Sequence, residues 1–262
     1  MANKQRVDQL LVDQGLAEDI DQARRLVMAG KVLYHGQLII KPSEIVDRED
    51  PLQLIKDPPY VSRGGEKLQA AFESFPISAA GKICADVGAS TGGFTDCLLQ
   101  QGAARVYAID VGYGLLDWRL RNDPRVILLE RTNARRLTSL AEPVDLVVAD
   151  VSFISLKKII PAMTHWYRKG CGEALLLIKP QFEASREESA RGSGVIRDPE
   201  IHRRVLEEVL DFAAREGLMT QGVIRSPLEG PAGNQEFIAW LACLPPDRQD
   251  HPLLELISSL FN

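Results

Sequence analysis

The chain has 262 residues, of which 45% are hydrophobic and 26% charged, with a formal net charge of −5. That length suits one large soluble domain or two smaller ones, and the acidic balance excludes a globally basic nucleic-acid binder, so any polyanion contact must come from a local basic patch. No apolar run approaches the ~18 residues of a membrane span, the N-terminus lacks the apolar core of a signal peptide, and the scattered Cys84, Cys97, Cys171 and Cys243 show no metal-ligand spacing among themselves or with the histidines. The reading is a cytoplasmic protein with reduced cysteines, no membrane segment and no metal site.

Residues 1–57 read as a small α+β domain. Val7, Leu10 and Leu11 share one helical face, and Gly15 ends that helix. Asp21 caps a second helix from Gln22 to Ala29, which Gly30 ends. Short strand-like pieces follow at Val32–Tyr34, Leu38–Ile40 and Leu52–Ile55. Asp57-Pro58-Pro59 stiffens the exit, giving a linker at 58–61. The stretches Arg6-Val-Asp-Gln-Leu10, Gln22-Ala-Arg-Arg-Leu26 and Ala29-Gly-Lys-Val32 resemble the S4 RNA-binding domain. That resemblance implies RNA phosphate contacts from Arg6, Arg24, Arg25 and Lys31. The segment carries more acids than bases, so its affinity alone is expected to be low.

From residue 62 to 245, strand-like runs alternate with helical ones. The strands fall at 83–87, 105–109, 126–129, 145–149, 174–178, 220–225 and 236–242. Helices are expected at Glu66–Phe75, from Phe94 to Gln101, and from Pro199 to Arg215, the last with Asp198 as cap and Gly217 as stop. Alternating β and α predicts a parallel sheet covered on both faces, with a late antiparallel strand because nothing crosses over after Leu241. Residues 246–262 read as a helical tail.

The stretch Asp86-Val-Gly-Ala-Ser-Thr-Gly-Gly-Phe94 lies between the first strand and its helix, and Asp110 ends the second strand. Strand, glycine turn, helix, strand, acid is the layout of a nucleoside-cofactor pocket. Ser90 occupies the middle glycine position of a dinucleotide fingerprint, and Asp86 would repel a pyrophosphate. A carboxylate there suits a cationic ligand with a ribosyl adenine, which is S-adenosylmethionine. Asp110 suits the ribose diol.

Ligands of open α/β sheets gather at the carboxyl ends of strands. There the fourth strand ends on Asp150 and the fifth on Lys179, and neighbouring strands would face these two at each other. Lys67, in Ser62-Arg-Gly-Gly-Glu-Lys67, and Glu236, in Gly230-Pro-Ala-Gly-Asn-Gln-Glu236, would return to the same rim. Arg63 and the glycine-bearing loop from Arg186 to Arg197, with Arg191 and Arg197, add local positive charge; the loop is either an RNA cover or a mobile surface segment. Phe153 and Phe182 are either stacking partners for a base or core residues.

The methyltransferase-like region resembles the FtsJ-type ribose 2′-O-methyltransferases, and the whole chain resembles the TlyA family, many of whose members carry the name haemolysin. The carrying stretches are Val61-Ser-Arg-Gly-Gly-Glu-Lys67, Asp86 to Asp96, Glu130-Arg-Thr-Asn-Ala-Arg135, Asp150-Val-Ser-Phe-Ile-Ser-Leu156, Leu177-Ile-Lys-Pro-Gln-Phe-Glu183 and Gly233-Asn-Gln-Glu-Phe237. The resemblance implies a Rossmann-like, seven-stranded α/β sheet with its last strand antiparallel, S-adenosylmethionine as cofactor, and cytidine 2′-O-methylation of ribosomal RNA in one or both subunits. It implies a catalytic Lys67, Asp150, Lys179 and Glu236. Asp86, Gly88, Ser90, Thr91, Gly92, Gly93, Phe94 and Asp150 would line the methionine side, Asp110 would bind the ribose and Asn133 the adenine edge. Lys179 would orient the attacking 2′-hydroxyl and stabilise alkoxide character, with Asp150 holding it. A pore-forming haemolysin, a non-catalytic RNA-binding protein and a small-molecule methyltransferase are the competing readings; the last has no use for an S4 domain.

Overall fold

The computed structural model describes residues 3–56, 58–168, 172–243 and 253–261. The chain divides into two compact units, Met1–Pro58 and Pro59–Asn262. Asp57, Cys171 and residues 246–252 of the expected tail lie outside the described residues.

In the first unit β1 (Lys4–Arg6), α1 (Val7–Asp13) and α2 (Ile20–Met28) precede β2 (Val32–Tyr34), β3 (Gln37–Ile39), β4 (Ile45–Asp47) and β5 (Leu52–Leu54). Val7, Leu10, Leu11, Ala23, Val27 and Val32 anchor its core. β2 pairs antiparallel with both β3 and β5, and β1 pairs antiparallel with β4. β1 and β4 were not read as strands: Lys4-Gln-Arg6 holds no apolar residue, and Ile45-Val-Asp47 is bounded by no turn signal that sets it apart from its polar neighbours. The cap of α2 is Asp19 and not Asp21: the extended backbone of Asp19 lets its carboxylate accept the Gln22 N–H at 2.7 Å. Asp21 lies inside the first turn, where its charge favours the positive end of the helix.

The second unit runs α3 (Gly64–Ser74), β6 (Ile83–Val87), α4 (Gly93–Gln100), β7 (Arg105–Ile109), α5 (Trp118–Arg121), β8 (Val126–Leu129), β9 (Leu146–Ala149) and α6 (Ile160–Met163). It continues with β10 (Glu173–Ile178), α7 (Pro180–Glu183), α8 (Arg186–Arg191), α9 (Pro199–Arg215), β11 (Met219–Arg225), β12 (Phe237–Ala242) and α10 (Leu253–Ser258). The sheet order is β11-β12-β10-β9-β6-β7-β8, seven strands as predicted. β12 is antiparallel to both of its neighbours, and β10, β9, β6, β7 and β8 run parallel.

Period two divides the strand side chains between two cores. Ala85 and Val87 face one cluster with Val147, Leu176 and Leu206, whereas Cys84 faces the other with Leu98, Val148 and Leu177. With both faces covered, the central strands read as continuous apolar runs such as Ala174 to Ile178. α9 buries Val205, Leu206, Val209, Leu210 and Ala213 at helical spacing; Asp198 caps it by accepting the Glu200 N–H at 2.9 Å. Among the described residues no helix is long and apolar enough to cross a membrane, and no group of three or more His, Cys, Asp or Glu could hold a metal ion.

The fully buried Leu176 tests this core. Leu176→Ala should cost about 2–5 kcal/mol, lowering the urea midpoint with an unchanged m-value. A change below about 1 kcal/mol would mean the strand is not packed on both faces as described.

Candidate active site

Strand order reverses between β6 and β9, so their carboxyl ends open a crevice at a topological switch point. The backbones are close there: the Asp150 N–H donates to the Val87 carbonyl at 3.0 Å. Gly88 follows β6 with φ +85°, and a Cβ on it would lie 2.6 Å from the Asp150 carbonyl oxygen. Only glycine meets both conditions.

Two cavities share the crevice. The larger, about 520 Å³, has Asp110 and Asn133 in its wall among the apolar Val111, Leu115, Ile154 and Ile159. The smaller, about 290 Å³, is lined by Arg63, Lys67, Asp150, Lys179 and Glu236, with Gly93 and Phe94. Gly88, Ser90, Asp150 and Ser152 belong to both walls.

The smaller cavity gathers the four expected charges as two ion pairs. The Lys67 ammonium, from α3, donates to the Glu236 carboxylate at 2.5 Å, and both groups are buried. The Lys179 ammonium meets Asp150 Oδ1 at 2.5 Å and donates to Ser152 Oγ at 2.9 Å. The antiparallel β12 makes this convergence possible. It begins at the edge where the parallel strands end, with Phe237 opposite Ile178, so Glu236 and Lys179 are neighbours on that rim. Leaving either lysine buried without its carboxylate would cost about 3–5 kcal/mol.

In the larger cavity, Asp110 is oriented by two backbone donors, Ser90 N–H at 2.8 Å and Gly112 N–H at 2.6 Å. A carboxylate has about four acceptor positions, so Asp110 retains capacity for a ligand diol. The Asn133 side chain accepts the Arg135 N–H at 3.1 Å, capping a short 3₁₀ turn. An apolar slot for a base, a fixed carboxylate for a ribose and a polar mouth fit the parts of S-adenosylmethionine.

Three of the expected cofactor residues do not line either cavity. Asp86 is fully buried beneath the glycine turn; its Oδ2 accepts the Thr95 hydroxyl at 2.7 Å and its Oδ1 has no partner. Burial, with Asp150 and Asp110 nearby, raises its pKa to about 7. Thr91 points to solvent. Gly92 (φ +100°) serves packing, since a Cβ there would meet Leu120 at 2.2 Å.

Of the expected RNA contacts, Arg63 lies on the cavity wall and Arg25, Arg191 and Arg197 are exposed. Arg6 and Arg24 are both engaged by the buried Asp8 carboxylate, at 2.7 and 3.2 Å, and Lys31 follows the end of α2. The loop expected from Arg186 to Arg197 is a helix, α8, over its first half, closed by a capping box of Ser185 and Glu188. Its second half is pinned: the buried Asn234 accepts the Ile196 N–H and donates to the Gly194 carbonyl, each at 2.9 Å.

Two features were missed. Ser152 stands two residues past Asp150, on the same turn after β9, and that spacing was the available signal. Glu183 closes the Lys179 turn, its carboxylate accepting the Ser155 hydroxyl and the Leu156 N–H, each at 2.6 Å. Phe153 is not core: it is 91% exposed with φ +64° and packs on Phe182 with ring centroids 5.1 Å apart.

A seven-stranded sheet with this antiparallel last strand, carrying a nucleoside pocket beside a charged cavity, defines an S-adenosylmethionine-dependent methyltransferase. The FtsJ-like methyltransferase model matches residues 60–243, and the S4 domain model matches residues 5–52. The chain is 47% identical over 249 residues to the 16S/23S rRNA (cytidine-2′-O)-methyltransferase TlyA of Mycobacterium tuberculosis, covering 92% of this chain and 91% of that one. It is 38% identical over 244 residues to Hemolysin A of Brachyspira hyodysenteriae, covering 89% and 98%. A solved structure of a candidate hemolysin from Streptococcus thermophilus superposes with a TM-score of 0.71 at 42% identity, covering 99% of this chain and 96% of that one. The chain therefore belongs to the TlyA family, in which an S4 domain precedes an FtsJ-like methyltransferase.

Asp86 gives this site a pH signature. The unfolded group loses its proton near 3.8, while the native one holds it to about 7. The stability it contributes is full below the lower value and declines as pH rises to the upper. Asp86→Asn removes that decline, so the variant should gain on the wild type between about pH 5 and pH 7. Urea midpoints of both proteins across that range check it; a difference that does not change with pH would contradict the buried carboxyl with one oxygen unpaired.

Proposed function

We propose that the protein methylates the ribose 2′-oxygen of cytidine in ribosomal RNA of one or both subunits, acting in the cytoplasm. The observation that carries this reading is the pair of buried lysine–carboxylate contacts lining one cavity that shares a wall with the nucleoside pocket. The name of the M. tuberculosis relative supports the substrate.

When bound, S-adenosylmethionine supplies a methyl group activated by its sulfonium for in-line transfer to the ribose oxygen. Asp110 and Asn133 would hold its adenosine and the Gly88–Ser90 turn its amino-acid end, beside Asp150. The larger share of the rate must come from positioning and electrostatics, because a ribose hydroxyl is a weak acid. Lys179 would donate a hydrogen bond to the 2′-oxygen and stabilise its developing negative charge, while the hydroxyl proton is released to water and the neutral thioether S-adenosylhomocysteine is left. Asp150 fixes the Lys179 ammonium. Lys67, held by Glu236, supplies the second positive wall of the same cavity. Phe153, exposed at the lip beside Phe182, offers an aromatic face to a base turned out of its helix. The exposed Arg25, together with Arg63, Arg191 and Arg197, would meet phosphates.

The test is tritium transfer from labelled S-adenosylmethionine to ribosomal subunits lacking their 2′-O-methylations. Wild type should label a ribose, and Lys179→Ala should lose about 10²–10³-fold while still binding S-adenosylhomocysteine. No label on either subunit or on naked RNA, with cofactor still bound, would refute the assignment. Leakage of liposomes by the purified protein would move it to the hemolysin reading.

A further inference from the structure

We propose that Ser152 is a further positioning residue of the transfer, one that orients the Lys179 ammonium toward the substrate; this rests on the reaction proposed above. A lysine ammonium has three donors. Ser152 Oγ accepts one at 2.9 Å, whereas the Asp150 carboxylate faces the ammonium as an ion pair, Oδ1 at 2.5 Å, without accepting a hydrogen bond. The Phe182 ring flanks the same ammonium, its centroid 5.9 Å away. The ion pair holds the ammonium at its place without fixing where its N–H groups point. The hydrogen bond to Ser152 fixes one N–H, and so limits the directions open to the other two.

Ser152 lies where that direction matters. It lines both cavities, together with Gly88, Ser90 and Asp150, so it stands on the boundary between the nucleoside pocket and the charged cavity. A methyl group passing from one to the other must cross this boundary.

The serine is also held in place. Its turn is tied to the Lys179 turn by the Glu183 carboxylate, which binds Ser155 and Leu156. Phe153, next in the chain, adopts a left-handed backbone and packs on Phe182. Such a φ is strained for a non-glycine residue and persists only where the surroundings enforce it. Two strand-end turns are thus joined by three contacts, of which Ser152–Lys179 is one.

The experiment compares Ser152→Ala and Ser152→Thr with wild type in single- and multiple-turnover methylation of unmethylated subunits. Calorimetric S-adenosylhomocysteine binding and thermal melting are measured on the same samples. The expected result for Ser152→Ala is a kcat lower by about 10–100-fold, with KM for RNA, cofactor affinity and melting temperature little changed. Ser152→Thr, which keeps the hydroxyl, should recover most of the rate. An Ala variant at the wild-type rate overturns the inference while the methylation reading stands. Equal losses in both variants with a lowered melting temperature also overturn it, in favour of a purely structural turn. No transfer by wild type overturns the reaction and the inference with it.

Discussion

Two lysines are buried at the carboxyl edge of a parallel sheet, and a carboxylate meets the ammonium of each. This constraint dictates much of the second unit. An ion pair out of water must repay a desolvation penalty of several kcal/mol per ion, so its geometry has to be enforced by the surrounding fold. Lys67 and Glu236 are 169 residues apart in the chain, and Lys179 and Ser152 are 27 apart. Helix α3 brings in the first lysine, parallel strands β9 and β10 bring Asp150 and Lys179 side by side, and antiparallel β12 brings Glu236 to the rim. Were β12 parallel, Glu236 would start at the opposite edge and Lys67 would lose its partner.

The same geometry explains why the glycine turn has its particular composition. The switch point leaves so little room between the ends of β6 and β9 that Gly88 faces the Asp150 carbonyl. Gly92 and Gly93 serve two neighbouring needs, admitting Leu120 and Ser62 respectively. A motif read from sequence as a ligand cradle is therefore partly a packing device. Asp86 belongs with this second function: it ends up under the turn, bound to Thr95, and lines neither cavity.

The seven strands were legible because each is an apolar run bounded by breakers, and Asp150 and Lys179 were legible because polar residues directly after such runs lie at the sheet's edge; Lys67, on a helix, and Glu236, just before the last strand, were placed there by the expected sheet order and the family resemblance. Asp150 after Ala149 and Lys179 after Ile178 are the clearest cases. What stayed hidden depends on contacts between distant segments. Nothing local distinguishes Asp21 from Asp19 as a cap, and only the extended backbone at Asp19 decides it. Nothing local tells that Asn234 will pin the turn at Gly194–Ile196, turning an expected loop into a fixed one. Phe153 reads like a core residue since it follows a buried strand, yet a left-handed backbone at that position directs it outward.

Basic residues counted along the sequence overstate the charge available to RNA in the first unit. Arg6 and Arg24 converge on Asp8, whose carboxyl is held below its usual range, mainly by its hydrogen bonds with Arg6. Two guanidinium groups sharing one buried carboxylate leave a net positive charge at that place but fix both arginines. Fixed cations suit a phosphate contact that sets register, since their side-chain entropy is already lost before RNA arrives, whereas the exposed Arg25 adds attraction without direction. The arrangement at Asp8 parallels the one at Asp150: in each unit a carboxylate fixes a neighbouring cation. In a chain with more acids than bases, carboxylates that aim cations are compatible with RNA binding, because recognition depends on where positive charge is held and not on its sum.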